Sequence, residues 1–106
     1  MAQPPYGEQH VMLPAHLTGD AVTEMRGRLL GYAHDPAVQR LIVDCGGVEE
    51  FAPYAMTVLI AATRAARSHG GRLEMVHPNA VVSSALDRHG LHKVLTVIGD
   101  DVPPRP

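Results

Sequence analysis

The sequence is poor in tryptophan, cysteine and positive charge, and each shortage argues against a class of function. Tryptophan is absent and aromatic residues make up 4 %, which disfavours surfaces that stack bases or sugars. Basic residues do not outnumber acidic ones and the formal net charge is −2, so the electrostatic footprint of a nucleic-acid-binding protein is missing. The single cysteine, Cys45, excludes an internal disulfide bond. It is compatible with a reducing compartment, so we expect a cytoplasmic protein.

Long hydrophobic stretches are also missing. No apolar run approaches the roughly 20 residues that span a bilayer, and the polar first nine residues with their two prolines are unlike a signal peptide. We therefore expect no insertion into a membrane. The 106 residues suit one domain, and 45 % of them are hydrophobic, enough to form a core. We predict this domain over residues 10–98, with flexible tails at residues 1–9 and 99–106.

Between the tails, strand patterns alternate with helix patterns. Short apolar runs of the buried-strand type occupy residues 10–13, 41–43, 73–76 and 94–98. A cluster at residues 18–20, Thr-Gly-Asp, signals a helix start, and apolar residues follow it at helical spacing. These residues are Val22, Met25, Leu29, Leu30 and Ala33. The order β-α-β-α-β-α-β predicts an α/β domain with a mostly parallel sheet.

The second predicted helix covers residues 53–68, because Pro53 suits a first helical turn and Gly70 and Gly71 follow the last one. At about 100° per residue, one face is aliphatic and small and should pack on the sheet. This inner face holds Ala55, Leu59, Ala62 and Ala66, with Val58 at its edge. The opposite face is less polar than a solvated face should be. This outer face holds Thr57, Ile60, Ala61, Arg64 and Ser68.

The third predicted helix starts after Pro78. Asn79 is its expected N-terminal cap, and Gly90 is expected to end it. Its inner stripe is predicted to consist of Val82, Ala85, Leu86 and His89.

Several segments, in this order and spacing, resemble the STAS domain, the fold of bacterial anti-sigma-factor antagonists. They are Ala-His-Leu-Thr at 15–18, Leu-Ile-Val-Asp at 41–44, Phe51, Thr-Val-Leu-Ile at 57–60, His-Gly-Gly-Arg-Leu at 69–73, Met-Val at 75–76 and Ala-Leu-Asp-Arg-His-Gly-Leu at 85–91. The resemblance covers residues 10–98. It implies a mostly parallel sheet of four to five strands with helices packed on it. It also implies a partner: an anti-sigma factor or a related ATP-binding regulatory kinase.

The resemblance fails at the motif that carries the family's phosphorylation switch. Relatives open the second helix with Asp-Ser-Ser-Gly, and the partner kinase phosphorylates the second serine; here the segment is Ala-Pro-Tyr-Ala at 52–55. Tyr54 therefore occupies the acceptor position. Its hydroxyl extends several ångströms further from the backbone than a serine hydroxyl, out of line in a kinase site built for serine. Thr57, one turn further on, is a candidate substitute acceptor.

The resemblance places the partner-binding surface on the first loop, the start of the second helix and the outer face of that helix. Carried over residue by residue, this surface comprises His16, Thr18, Pro53, Tyr54, Thr57, Ile60, Ala61 and Arg64. The alternative is an ordinary surface helix, because single exposed apolar residues are common. His16 is also a candidate for tuning the docking with pH.

Other chemistry finds little support in the sequence. The seven histidines are scattered, and Gly90 should separate His89 from His92, so we predict no metal site and no cofactor. Cys45 is expected to be a buried structural thiol and Asp44 to orient the following turn. No nucleophile, base and orienting group are spaced for a shared site, so we do not expect an enzyme.

Two further functions stay open at this point. STAS-like subunits also occur with transport ATPases, as in lipid transport, and such an accessory subunit or a scaffold component is the main alternative. The other is a domain that binds a nucleotide or small molecule at a helix N-terminus. Pro53 has no N–H and Tyr54 is bulky, so the second helix would make a poor phosphate cradle. The sequence leaves the oligomeric state open.

Overall fold

The computed structural model describes residues 7–90 and 95–98, which form two parallel sheets and three helices. The strands are β1 (Glu8–Met12), β2 (His16–Leu17), β3 (Arg40–Asp44), β4 (Glu50–Phe51), β5 (Arg72–Val76) and β6 (Thr96–Ile98). The helices are α1 (Asp20–Ala33), α2 (Pro53–Arg67) and α3 (Ala80–His89). Among the described residues, no helix is long and apolar enough to cross a bilayer.

The main sheet has the strand order β1-β3-β5-β6, and every neighbouring pair in it is parallel. This confirms the predicted α/β class and the mostly parallel sheet. A second sheet consists of β2 and β4, also parallel. Its two-residue strands were not predicted, because a strand of that length is too short to show a hydrophobic period.

All three helices share one core with one face of the main sheet. Strand side chains alternate between the two faces. On the helix side the sheet contributes Val11, Leu41, Val43, Leu73 and Met75, all buried. The predicted inner face of α2 lies in the same core, with Leu59 fully buried. The alanines of that face let the helix approach the strands closely.

Helix α1 follows Gly19, which adopts a φ of 53°. No side chain caps its first turn, so the helix-start cluster at residues 18–20 marks the position without supplying the expected capping bond. The predicted stripe is confirmed at four positions, with Leu30 partly buried beside them. The four buried residues are Val22, Met25, Leu29 and Ala33.

Helix α3 begins as predicted. The side-chain oxygen of Asn79 accepts a 3.0 Å hydrogen bond from the backbone N–H of Val82, and Gly90 ends the helix in the left-handed conformation at φ 64°. The predicted inner stripe was wrong at one position. His89 is exposed in the last turn, next to the glycine that ends the helix.

The face of the sheet opposite the helices carries a network of charges. Arg40 donates through Nη1 to Glu8 at 2.6 Å and through Nε to Glu74 at 2.8 Å. Arg72 reaches the second oxygen of Glu74 at 2.8 Å, and His10 lies 3.0 Å from the second oxygen of Glu8. Strand β1 begins at Glu8, two residues earlier than the predicted strand, because Glu8 and Gln9 already pair with Arg40 and Leu41 of β3.

The C-terminal part of the prediction is tested only in part. Strand β6 begins at Thr96, and Leu95 before it is buried. Val94, which we assigned to this strand, lies outside the described residues, as do His92 and most of both predicted tails.

Candidate partner-binding site

The small β2–β4 sheet fastens the first loop to the start of α2. His16 pairs with Glu50 and Leu17 with Phe51, and the N–H of Ala52 donates to the carbonyl of Leu17 at 3.0 Å. Leu17 is fully buried, so this junction is anchored in the core. The two segments are far apart in the chain, yet their candidate residues lie on adjoining elements.

His16 sits beside two carboxylates that the sequence analysis did not single out. Its Nδ1 lies 2.6 Å from Glu50, and its Nε2 lies 3.9 Å from Glu49. All three side chains are mostly exposed, and such pairs contribute only about 0–1 kcal/mol to folding. Their main effect is to give this end of the surface a negative character. The contact between His16 and Glu50 joins residues 34 positions apart, so no local sequence pattern could predict it.

The start of α2 is open to solvent. Ala52 stands at the N-cap in an extended conformation without a capping side chain, and Pro53 occupies the first turn. Tyr54, which follows, is 54 % exposed and is one of the few large apolar side chains outside the core among residues 7–90. Tyrosine is enriched at the centre of protein interfaces, where its ring loses contact with water.

The outer face of α2 is narrower than its buried face. Thr57, Ala61 and Arg64 are exposed, and Ile60 is half-buried against the core. The helix also buries Met56, Thr63 and Ala65, which the inner-face prediction omitted. Helix α1 packs beside α2. Thr63 tolerates burial because its hydroxyl donates to the carbonyl of Leu59 at 2.8 Å.

The strand end before α2 has little chemical reactivity of its own. One carboxylate oxygen of Asp44 accepts a 2.9 Å hydrogen bond from the N–H of Gly46, so this side chain orients the turn. Burial, with the neighbouring charge of Asp44, raises the pKa of the Cys45 thiol to about 12. A thiol with that pKa stays protonated at neutral pH and is a poor nucleophile.

The described residues offer no metal centre: no three or more His, Cys, Asp or Glu side chains are grouped to hold an ion. A phosphate cradle at α2 would lack the N–H that Pro53 cannot supply, and the N–H of Ala55 already bonds the carbonyl of Ala52 at 2.9 Å. The site therefore consists of exposed aromatic, aliphatic and hydroxyl groups with acidic side chains at one end and Arg64 further along α2.

Comparison with known structures places the fold. The anti-sigma-factor antagonist SpoIIAA in its unphosphorylated form has a TM-score of 0.74 at 16 % identity, with 89 % of this chain and 82 % of that chain covered. The phosphorylated form of the Bacillus cell-fate determinant SpoIIAA has a TM-score of 0.72 at 14 % identity, covering 94 % and 90 %. An anti-sigma-factor antagonist (STAS) domain protein of Planctomyces limnophilus has a TM-score of 0.74 at 15 % identity, covering 87 % and 82 %.

These identities are low, so the structures establish the architecture rather than a shared partner. No curated protein matches the sequence. The family model described as "Mlab, STAS domain" matches residues 5–98, which is nearly the whole chain. The chain therefore belongs to the STAS domain family.

Proposed function

We propose that this STAS domain is a non-catalytic, cytoplasmic interaction module that binds an anti-sigma factor or a related ATP-binding regulatory kinase. The observation that carries the proposal is the β2–β4 junction, which joins the first loop to the start of α2 and leaves Tyr54 exposed there. The likeness to anti-sigma-factor antagonist structures supports the class of partner.

The docking surface consists of His16, Thr18, Pro53, Tyr54, Thr57, Ile60, Ala61 and Arg64. Tyr54 lies between its two charged ends, with the acidic pair Glu49 and Glu50 beside His16 and the basic Arg64 further along α2. A partner of complementary charge would be steered onto this surface in one orientation. The aromatic ring would then supply most of the affinity.

Isothermal titration with anti-sigma factors encoded in the same genome tests this assignment. Tyr54→Ala should weaken binding by about 10- to 100-fold, the range typical of a central aromatic contact. Val81→Ala is the matched control, because Val81 is an exposed apolar residue on α3, outside the docking surface. Equal affinity of both variants for a partner that does bind would exclude Tyr54 from the interface.

We further propose that binding is not controlled by the family's serine switch. Tyr54 stands where relatives carry the phosphorylated serine, and phosphoryl transfer needs its acceptor hydroxyl in line with the γ-phosphate. Incubation with the partner kinase and ATP, followed by mass spectrometry, should leave Tyr54 unmodified. A phosphoryl group on Thr57, abolished by Thr57→Ala, would move the switch one turn along α2. A phosphoryl group on Tyr54 would contradict the proposal.

The second candidate function is an accessory subunit of a transport ATPase. The matching family model is described as "Mlab, STAS domain" and does not name an anti-sigma-factor antagonist. The family match therefore leaves this alternative open. Affinity capture of the tagged chain from its own cells separates the two. Recovery of a transport ATPase would support the second candidate, and recovery of an ATP-binding anti-sigma factor would support the first.

A further inference from the structure

The outer edge of β1 and the adjoining side of α1 form a second surface, separate from the docking surface. We propose that β1 pairs antiparallel with β1 of a second copy, so that two main sheets join into one across a two-fold axis and α1 packs beside α1 of the partner subunit. This dimer is independent of the proposed function, because neither β1 nor α1 belongs to the docking surface.

Backbone geometry leaves one side of β1 open. The N–H of Leu13 donates to Asp44 at 3.0 Å, and Gly7 accepts from Arg40 at 2.9 Å, so odd-numbered residues of this segment direct their polar groups toward β3. Successive residues of a strand alternate in this direction. The N–H and C=O groups of Glu8, His10 and Met12 therefore point to the outer edge, where no strand of residues 7–90 and 95–98 pairs with them.

The edge has only part of the usual protection against pairing. Natural edge strands are short, kinked by a bulge, interrupted by proline, or lined with charged side chains such as lysine; β1 has one such charge, Glu8, and that carboxylate is bound to Arg40. Strand β1 is five residues long, with the sequence Glu-Gln-His-Val-Met, and Pro14 comes only after it ends. The opposite edge strand, β6, has three residues. Of the two edge strands, β1 therefore offers more backbone N–H and C=O groups for hydrogen bonds to an added strand.

An apolar groove of about 280 Å³ runs between this edge and α1. It is lined by Val11, Met12, Leu13, Pro14, Ala21, Glu24, Met25 and Arg28. Met12 is 72 % exposed, the highest value for a large hydrophobic side chain among the described residues. In the two-fold dimer the same groove of the second copy would lie against this one, which would remove the apolar walls of both from water.

The charges on α1 favour a second copy as the occupant. Glu24 and Arg28 lie one turn apart on the groove side of the helix. A two-fold axis brings the same patch of both subunits together. The two helices then run antiparallel, so Glu24 faces Arg28 of the partner subunit and Arg28 faces Glu24 of the partner subunit. Opposite charges meet twice in one contact.

Two glycines on α1 fit the same arrangement. Gly27 and Gly31 lie in the interior of α1, and a Cβ at either position would meet no atom within 4 Å. Glycine costs about 1 kcal/mol relative to alanine inside a helix, and packing within this chain gives no reason for it. A smooth exposed side lets a second helix approach closely.

The register of the proposed β1–β1 pair follows from the outward-pointing backbone N–H and C=O groups of Glu8, His10 and Met12. If His10 faces His10 of the partner subunit, Glu8 faces Met12 of the partner subunit, and all these residues direct their backbone groups to the new seam. Residues opposite each other then exchange both N–H···O bonds, as in the hydrogen-bonded pairs of an antiparallel ladder. Stable interfaces bury about 1,200–2,000 Å², so a strand this short needs the α1 contact as well.

Sedimentation equilibrium of the full chain over a range of concentrations tests the dimer. The wild type should show a monomer–dimer equilibrium. Glu24→Arg and Arg28→Glu should each weaken it by about tenfold or more, because like charges then face each other. The double variant restores complementary pairs and should dimerise nearly as well as the wild type. Arg88→Glu, a charge reversal on exposed α3, is the matched control and should leave the equilibrium unchanged.

His10→Pro is a second, independent variant. It removes the central N–H from the open side of β1, where no bond to β3 is lost. Circular dichroism checks that each variant folds, and a folded His10→Pro chain should dimerise at least tenfold more weakly than the wild type. A wild type that stays monomeric at every concentration would overturn the proposal. A dimer that is insensitive to Glu24→Arg, Arg28→Glu and the double variant would overturn it equally, because its interface would lie elsewhere.

Discussion

At the scale of single residues, Glu74 is the shared acceptor of the charge network on the face of the main sheet opposite the helices. It is 5 % exposed, and no other charged residue of the described ranges is buried. One oxygen accepts from Arg40 and the other from Arg72, each at 2.8 Å. A buried carboxylate is tolerated only when it is paired in this way. The network therefore ties together neighbouring strands through side chains as well as through the backbone.

Replacing Glu74 by alanine should lower the free energy of unfolding by about 1–3 kcal/mol, because two arginines lose their common acceptor. Urea denaturation followed by circular dichroism measures the change. Arg88→Ala is the control, because this charged side chain on α3 is exposed and lies outside both proposed surfaces, so the effect should stay within about 0.5 kcal/mol. Equal effects of the two substitutions would show that the network adds nothing to stability.

Glu8, at the edge of the same network, makes stability depend on pH. The hydrogen bond from His10, followed by the charge of Arg40, lowers the pKa of Glu8 below its ordinary value. A lowered pKa in the folded state means that stability is present above the unfolded-state pKa, about 4.3, and is lost as pH falls through the folded value. The contribution of Glu8 should therefore decrease once the pH falls below the unfolded-state value and be lost completely only below the lowered folded-state value.

Comparison of the wild type with Glu8→Gln tests this sign. The difference in unfolding free energy should be constant near neutral pH and should shrink as the pH falls below the unfolded-state pKa of glutamate. Urea denaturation at closely spaced pH values gives the curve. A difference that grows on acidification would mean that the pKa of Glu8 is raised rather than lowered.

At the scale of elements, Asn79 connects the start of α3 to the loop after β3. Its oxygen caps the helix through Val82, and its Nδ2 donates to the carbonyl of Val48 at 2.6 Å. One side chain thus satisfies a free helix N–H and a loop carbonyl. The loop leads into β4, so this contact helps to place the strand that carries Glu50.

Asn79→Ala should cost about 1–2 kcal/mol of unfolding free energy, the usual loss when a helix cap is removed. Asn79→Ser keeps a cap acceptor but lacks the amide that reaches Val48, so it should recover only part of the loss. Thermal and urea unfolding of both variants measure this. A serine variant as stable as the wild type would show that the link to Val48 contributes nothing.

The helices and main strands could be predicted because their signals are local. In α2, Pro53 marks the start and the spacing of Ala55, Leu59 and Ala62 identifies the buried face. The width of that face was underestimated: Thr63 is buried, and the burial of a polar residue beside an apolar stripe depends on tertiary packing that the spacing within α2 does not reveal. The exposed His89 was misassigned because helical spacing alone cannot tell how far the core extends toward a helix end.

In the candidate site, too, some residues could be predicted from local sequence and others could not. Tyr54 and Thr57 could be singled out from a motif within one segment. The neighbours of His16 could not, because Glu49 and Glu50 reach it through a pairing of two-residue strands distant in the chain. Contacts of that kind depend on the whole fold, and the hydrophobic periodicity of a short segment does not predict them.

At the scale of the whole molecule, the fold places the charge network, the proposed docking surface and the edge of β1 on different parts of the surface. The helices cover one face of the main sheet, the charge network lies on the other, and the proposed docking surface lies on the first loop and α2. Helix α1 stands between α2 and the edge of β1 that is unpaired within residues 7–90 and 95–98. The two proposed interactions use different surfaces, so we expect that each can be abolished by mutation without the other.

An NMR titration of the ¹⁵N-labelled chain with an anti-sigma factor encoded in the same genome tests the proposed docking surface most directly. The largest amide shift changes should fall in residues 15–19 and 52–64, and Tyr54→Ala should weaken the partner's binding without altering the rest of the spectrum. Changes concentrated instead on α3 or on the open face of the main sheet, with the first loop and α2 undisturbed, would contradict the account.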